Sequence, residues 1–292
     1  VDSQSELAQR FEEQRPRLRA VAYRVLGSVS DAEDAVQEAW LRLSRVDAEE
    51  IENLGGWLTT VVARVSLNVL RQRRARPQDP LEFRLPDLII DPADGTDPEH
   101  EALLADAVGL ALLVVLETLS PPERVAFVLH DMFSVPFGDI AELVGRSPEA
   151  TRQLASRARR RVRGGAIDTG TDLEAQWRLI DAWLAAARAG DLGALIEILD
   201  PDVVLRSDGG ATGLTREARG AETVARQAMA FRSAGLTIHR ALVNGAAGAV
   251  TTRDGKPFSV GAFAIRDGRI AEIYFLVDPE RLARLDLALL ER

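Results

Sequence analysis

The sequence contains no cysteine, which excludes disulfides, thiolate metal sites and cysteine nucleophiles. Histidine is scarce, and His100, His130 and His239 are too scattered to suggest a histidine zinc site. No metal and no cofactor is therefore expected. Lysine is nearly absent, with Lys256 the exception among 36 basic residues. No apolar run approaches the roughly 20 residues of a membrane span, and Val1–Glu6 lacks the basic-then-apolar pattern of a signal peptide. A soluble cytoplasmic protein without membrane association is the expectation. An excess of positive charge is missing too. The 45 acidic side chains give a formal net charge of −9, which for the chain as a whole argues against nucleic acid.

What is present is length, apolar content and uneven charge. A chain of 292 residues with 46% hydrophobic side chains is long enough for two or three domains with real cores. Residues 1–76 hold 12 basic and 12 acidic groups, with Arg64, Arg71, Arg73, Arg74 and Arg76 crowded at the end. Residues 77–106 hold 9 acidic groups against Arg84 alone, and their Pro, Asp and Gly content reads as an acidic linker. Residues 107–165 carry 8 basic against 6 acidic groups, with six arginines and no acid after Glu149. Residues 166–292 return to near balance, at 15 basic and 18 acidic. Two arginine clusters thus flank an acidic spacer.

The first segment is patterned for helices. Leu7, Phe11, Leu18, Val21, Ala22 and Val25 recur at three- and four-residue spacing. Gly27 ends that helix, and Ser30 with Glu33 predicts a capping box opening the next. The second helix buries Ala35, Val36, Ala39, Trp40 and Leu43 and shows Asp31, Asp34, Gln37, Glu38 and Leu41 on its other face. A third, from about Gly56 to the Arg71–Arg76 cluster, places Arg64, Asn68 and Arg71 on one side. On pattern alone, a helical bundle with solvated charges stays open.

Residues 107–164 are better punctuated. Ser120-Pro121-Pro122-Glu123 supplies a capping serine, a proline at the first helical position and a glutamate at the third. Phe137–Val144 predicts a short helix, Gly145-Arg146-Ser147-Pro148 a tight turn, and Glu149–Arg163 a long basic helix. The spacing is that of a helix-turn-helix. Its second helix offers Arg152, Gln153, Ser156, Arg157 and Arg160; guanidinium suits phosphate or guanine edges, and a glutamine suits adenine.

Three ordered stretches resemble extracytoplasmic-function (ECF) sigma factors: Asp31–Leu41, Trp57–Arg71, and Leu119–Arg124 with Ile140–Gly145 and Arg152–Arg159. The resemblance covers about residues 5–164. It implies a sigma region 2 domain over 1–76, a linker over 77–106 and a sigma region 4 domain over 107–165. It further implies bacterial core RNA polymerase and promoter DNA as partners. By that resemblance, Asp34, Gln37, Glu38 and Leu41 dock on polymerase. Arg64, Asn68, Arg71, Arg73 and Arg74 engage the −10 element. Arg152, Gln153, Ser156, Arg157 and Arg160 engage the −35 element.

Residues 166–292 change character. Thr171-Asp172 predicts the cap of a helix carrying Trp177, Ile180, Trp183 and Leu184, and a shorter helix follows through Leu192–Leu199. Asp202–Gly210 reads as a strand ending in a turn, and 220–233 as a helix. Strand-like runs at 236–243, 247–253, 257–266 and 269–277 are punctuated by Asp254-Gly255 and Asp267-Gly268, both hairpin dipeptides. Helices followed by a meander predict an antiparallel sheet wrapped on helices, an α+β cone. The segment resembles the SnoaL-like branch of the NTF2-like fold, on Arg188–Leu192, Ser207–Gly210, Val243–Gly245, Asp267–Ile270 and Asp278-Pro279. ECF factors fused to such a domain carry a WLPEP-like spacer motif, a DGGGK-like loop and an NPDKL-like end. The counterparts here are Arg84–Asp87, Asp208–Thr212 and Val277–Leu282, without the spacer tryptophan and without the loop's third glycine and lysine.

The complete expectation is two all-α domains, the second with a helix-turn-helix, followed by an NTF2-like cone that regulates the factor in cis. Asp208, His239, Asn244 and Tyr274 are conceivable lining residues of a pocket for a small-molecule ligand. Asp208 is read first as a turn former and His239 as structural or exposed, and no nucleophile or phosphate loop accompanies them, so the segment is not expected to be an enzyme. Two rivals are a one-component helix-turn-helix regulator sensing a ligand in the cone, and an NTF2-like enzyme with an ancillary helical part. The acidic 31–41 face and the Arg64–Arg71 face speak against the first, since such a regulator does not need them.

Overall fold

The computed structural model describes residues 2–46, 51–75, 83–95, 100, 109–164, 172–210, 216–230, 235–285 and 287. They divide into two compact units. The helical unit holds the described residues up to 75 together with 100 and 113–164. The second unit holds 83–95, 109–112 and the residues from 172 onward.

The helical unit opens with α1 (Asp2–Leu26), α2 (Val29–Leu43) and α3 (Leu54–Ala75). Helix α1 buries Phe11, Leu18, Val21, Ala22 and Val25, the periodic set read from the sequence. Gly27 stops it at φ +67°, a left-handed geometry that costs glycine little. The cap of α2 is Ser28, not Ser30: its extended backbone lets its hydroxyl accept from the Asp31 N–H at 3.4 Å. Helix α3 is capped by Asn53, whose Oδ1 accepts from the Gly56 N–H at 3.0 Å.

The rest of the unit comprises the end of α4 (Leu110–Glu117), α5 (Pro121–Phe127), a π-helical turn over Val128–Met132, α6 (Phe137–Val144) and α7 (Pro148–Gly164). Gly145 closes α6 at φ +71°, and Ile140, Ala141, Val144, Ala155 and Ala158 are buried between the paired helices. The helix-turn-helix predicted from spacing is present.

The second unit contains α8 (Leu173–Ala189), α9 (Leu192–Ile198), α10 (Ala221–Ala230), the short α11 (Pro279–Leu282) and a seven-stranded sheet. Its strands are β1 (Ile90–Pro92), β2 (Leu199–Asp208), β3 (Arg216–Arg219), β4 (Thr237–Val243), β5 (Ala246–Arg253), β6 (Lys256–Arg266) and β7 (Arg269–Leu276), in the order β1-β4-β5-β6-β7-β2-β3. The meander β4–β7 is antiparallel as expected, and Asp254-Gly255 and Asp267-Gly268 make its turns with all four φ positive. Asn244-Gly245 is a third such turn, at φ +51° and +74°. Two features go beyond that meander. Strand β2 pairs in parallel with β7, because it enters from the helical layer and lies beside the last strand. Strand β1 comes from the spacer and pairs antiparallel with β4.

One face of this sheet carries Val203, Leu205, Ala247, Phe263 and Ile273, packed with Ile180, Trp183, Leu195 and Val224 of the helices. Trp183 meets Phe263 edge-on at a centroid distance of 5.3 Å. Register shifts in β5–β6, β6–β7 and β2–β7 supply the bulges that bend such a sheet.

Candidate nucleic-acid interface

Helix α2 presents Asp34, Gln37 and Leu41 to solvent, with Leu41 42% exposed although it is apolar. Glu38, at the same face, is half-buried and accepts from Arg42 Nε at 2.8 Å. On α3, Arg64, Asn68 and Arg71 form one exposed stripe at spacings of four and three, and Arg74 is exposed beyond it. Arg73 is placed differently. It donates to the Leu26 carbonyl at 2.9 Å and pairs with Asp31, so it closes the C-terminal end of α1 and ties α3 to α2. The stripe and the structural arginine are neighbours in sequence on different sides of one helix.

In the second helical segment, Ser120 and Glu123 form the predicted capping box at the start of α5. Glu123 is nearly buried and does more than cap. Its carboxylate accepts from the Ser120 N–H at 3.1 Å and the Ser120 hydroxyl at 2.6 Å, from Arg157 Nε at 3.1 Å and from Arg161 at 3.0 Å. Burial alone would push the carboxyl up. The Ser120 contacts and the two guanidiniums outweigh it and hold Glu123 at about 2, against an ordinary 4.5. A depressed folded-state value means the stabilisation is complete above about pH 4.5 and is lost as pH falls toward 2. Because both arginines are half in solvent, the contribution is about 2 kcal/mol rather than the full shift. Acid unfolding followed by circular dichroism is expected to show this step, and Glu123→Gln is expected to flatten it.

The exposed side of α7 carries Arg152, Gln153, Ser156, Arg157 and Arg160, opposite buried Thr151, Ala155 and Ala158. Arg152 lies over the Phe137 ring at 5.7 Å, and Phe137 in turn stacks on His130 at 3.8 Å. Arg159 Nε reaches Asp131 at 2.5 Å.

The two parts of the helical unit touch through arginines. Arg124 pairs with Glu117 at 2.8 Å and directs its Nε and second terminal nitrogen to the Arg24 carbonyl, each at 3.4 Å. The Arg24 guanidinium sits 4.9 Å from the Phe133 centroid, and Arg17 donates to the Phe133 carbonyl at 3.3 Å. Arg24 and Arg124 are only 1% and 2% exposed. Buried guanidiniums are held only where carbonyls, carboxylates or ring faces meet them.

In the second unit the spacer is a fixed part of the sheet. Asp208, 1% exposed, accepts from the Leu85 N–H at 2.8 Å and from Arg281 at 2.5 Å. Arg281 also donates to the Pro86 carbonyl at 2.9 Å and to Asp87 at 3.3 Å. The Asn244 N–H donates to the Ile89 carbonyl at 2.8 Å, and Ile89 N–H returns a bond to Asn244 Oδ1 at 3.4 Å. Arg206 lies over the Phe83 ring at 5.9 Å. The three family-like motifs therefore meet: the spacer motif, the Asp208 loop and the Asp278–Leu282 end. Ala211 and Thr212 lie outside the described residues.

Gly210 explains the close fit of the loop to that end. Its φ is +58°, and a Cβ there would come within 3.2 Å of three Asp278 side-chain atoms. Asp278 itself caps α11 by accepting from the Glu280 and Arg281 N–H groups. Gly210→Ala is expected to lower stability by about 2–3 kcal/mol through strain and the displaced cap, measured by denaturant unfolding.

The four residues read as conceivable pocket lining do not gather in the cone interior. Side-chain alternation places Asp208, His239 and Tyr274 on the sheet face turned away from α8–α10. His239 bonds Thr252 Oγ1 at 3.2 Å, whereas its neighbour Arg240 pairs with Asp181 of α8 at 3.1 Å. The Tyr274 hydroxyl bonds Glu272, and burial with that carboxylate raises the phenol well above its usual range. Asn244 is in the β4–β5 turn, on Ile89. The interior is filled instead by Trp183, Phe263 and their neighbours. Sequence reasoning missed Arg281 and the strand at Ile90; the apolar run Leu88-Ile89-Ile90 inside an acidic spacer was the available signal.

Among the described residues, no group of three or more His, Cys, Asp or Glu is placed to hold a metal. No described helix is long and apolar enough to cross a membrane.

An acidic helix, an arginine-edged third helix and a separate helix-turn-helix define a two-region protein of the sigma-70 type. The sigma-70 region 2 family model matches residues 10–76 and the sigma-70 region 4 model residues 109–162. The ECF RNA polymerase sigma factor SigJ of Mycobacterium tuberculosis is 39% identical over 288 residues, covering 93% of this chain and 91% of that protein. A probable ECF RNA polymerase sigma factor of the same organism, SigI, is 35% identical over 279 residues, covering 90% of each. The crystal structure of the M. tuberculosis SigJ factor aligns at a TM-score of 0.77 and 36% identity, covering 96% of this chain and 99% of that one. The chain belongs to the ECF RNA polymerase sigma factor family.

Proposed function

We propose that this chain binds bacterial core RNA polymerase and directs it to promoters, with its carboxyl-terminal unit acting in cis on the spacer between the two DNA-reading parts. The observation that carries the cis assignment is the hold on residues 83–92 by Asp208, Arg281, Asn244 and strand β4. That segment is one third of the 77–106 connection between the region 2 and region 4 domains. Fixing it on a sheet removes conformations the connection would otherwise sample. The division of labour within the helical unit follows charge: Asp34, Gln37, Glu38 and Leu41 suit a protein surface and would repel DNA, whereas Arg64, Asn68, Arg71 and Arg74 suit the −10 element. Arg73 is assigned to holding the helices together.

The carboxyl-terminal unit is proposed to be regulatory rather than catalytic, because the polar atoms of Asp208, Asn244, His239 and Tyr274 are engaged within the fold. The polymerase assignment is tested by titrating fluorescently labelled full chain with core polymerase. Leu41→Asp is expected to weaken binding at least 10-fold with no change in melting temperature, since Leu41 is exposed. Unchanged affinity in Leu41→Asp and in Glu38→Arg would contradict the assignment of this face.

A further inference from the structure

We propose that Glu123 is a positioning residue for −35 reading, which draws Arg157 and Arg161 to the flank of α7 and leaves Gln153, Ser156 and Arg160 to meet base edges. This rests on the proposal that region 4 reads promoter DNA. At 100° per residue, Gln153, Ser156 and Arg160 lie within roughly 60° of one another, directly opposite the buried Thr151, Ala155 and Ala158 stripe. Arg157 and Arg161 lie further round the helix toward α5, and both end on the Glu123 carboxylate. On the opposite flank Arg159 is drawn to Asp131, while Arg152 rests on Phe137 and pairs with Glu149 at 3.4 Å.

The carboxylate is fixed before any guanidinium reaches it. Glu123 occupies the third position of α5 and is bonded twice to Ser120, so it has one place to be. Two long, flexible side chains are thereby anchored to a rigid point at the edge of the recognition helix. An arginine tied at the flank keeps its remaining N–H groups for phosphate, which positions the helix without reading sequence. Side chains at the centre of the exposed face approach base edges directly. Glu123 therefore sets specificity from a position that touches no DNA.

The test uses full-length protein assembled with core polymerase, and measures affinity for a panel of promoters substituted singly through the −35 element, at several salt concentrations. Arg157→Ala is expected to weaken all promoters by a similar factor and to reduce the salt slope by about 1. Gln153→Ala or Arg160→Ala is expected to relax discrimination at one −35 position by about 5- to 150-fold. Glu123→Gln, which frees both arginines at nearly constant volume, is expected to change the ranking of bases at one or more −35 positions. Loss of discrimination at a single position in Arg157→Ala, with an unchanged salt slope, would overturn the inference. So would a uniform loss in Glu123→Gln that follows its melting temperature and leaves the ranking intact. If the unmodified holoenzyme shows no dependence on −35 sequence, the promoter-reading assignment itself fails, and the inference falls with it.

Discussion

Asp208→Ala is expected to cost the second unit about 3–5 kcal/mol and to free residues 83–92. The reason is an asymmetry of buried charge. Asp208 and Arg281 meet at 2.5 Å with side chains 1% and 9% exposed, so removing the carboxylate leaves a buried guanidinium with only the Pro86 carbonyl and the more exposed Asp87 as partners. The Leu85 N–H loses its acceptor at the same time. Hydrogen exchange at the amides of Leu85 and Ile89 reports the release directly: both are expected to become fast in the variant, while amides of β5 and β6 accelerate only by their share of the global loss. Replacing both members of the pair by apolar residues is expected to cost less than Asp208→Ala alone, because no unpaired charge remains. Slow exchange at Leu85 in Asp208→Ala would show that β1 pairing alone holds the spacer.

Arg124→Ala is expected to destabilise the helical unit by about 3 kcal/mol. The side chain fills buried volume between α5 and the end of α1, and its loss leaves the Arg24 carbonyl and Glu117 without their donor. Arg124→Met restores the volume but not the donors, and is expected to recover about half of the loss. Denaturant unfolding monitored through Trp40, which packs against Phe11 of α1 at 5.0 Å, separates damage in the region 2 helices from damage confined to region 4. A two-step transition in Arg124→Ala would mean that this arginine couples the two parts; a single transition at lower denaturant would mean that it supports only its own helix.

Much of the architecture was legible because local chemistry agreed with the global fold. The sequence Ser120–Glu123 announced its capping box, Gly145 its left-handed turn, and Asp254-Gly255 and Asp267-Gly268 their hairpins. What remained hidden depends on partners distant in sequence. Nothing local says that Arg73, among exposed arginines, turns to Leu26 and Asp31, or that Glu123 reaches across 34 residues to Arg157. Asp208 was read as a turn former, and it does accept from the Gly210 N–H at 3.0 Å. Its other oxygen bonds a main-chain amide 123 residues away, which no window of sequence reveals. The spacer looked like a linker because charge and proline dominate it; its short apolar run became a strand only by finding the free edge of β4. The cone-lining reading failed to gather its residues for a related reason. Alternation gives two faces, and only the helices decide which of them is inside.

The net charge of −9 is the feature most at odds with a DNA-reading role, and its distribution resolves the conflict. Nine acidic groups lie in the 77–106 spacer, whereas the run from Arg152 to Arg163 carries arginine alone among charged residues. Salt dependence of promoter binding follows the local clusters, not the total.

Joined to core polymerase, this chain is expected to select where transcription begins. Run-off transcription with purified core polymerase, on a template with matched −10 and −35 elements and on one with both scrambled, is the measurement of that role. A transcript of defined length is expected from the matched template, dependent on added full chain and abolished in Arg64→Ala/Arg71→Ala. Equal output from both templates, or none with the full chain and none with a truncation near residue 168, would contradict it.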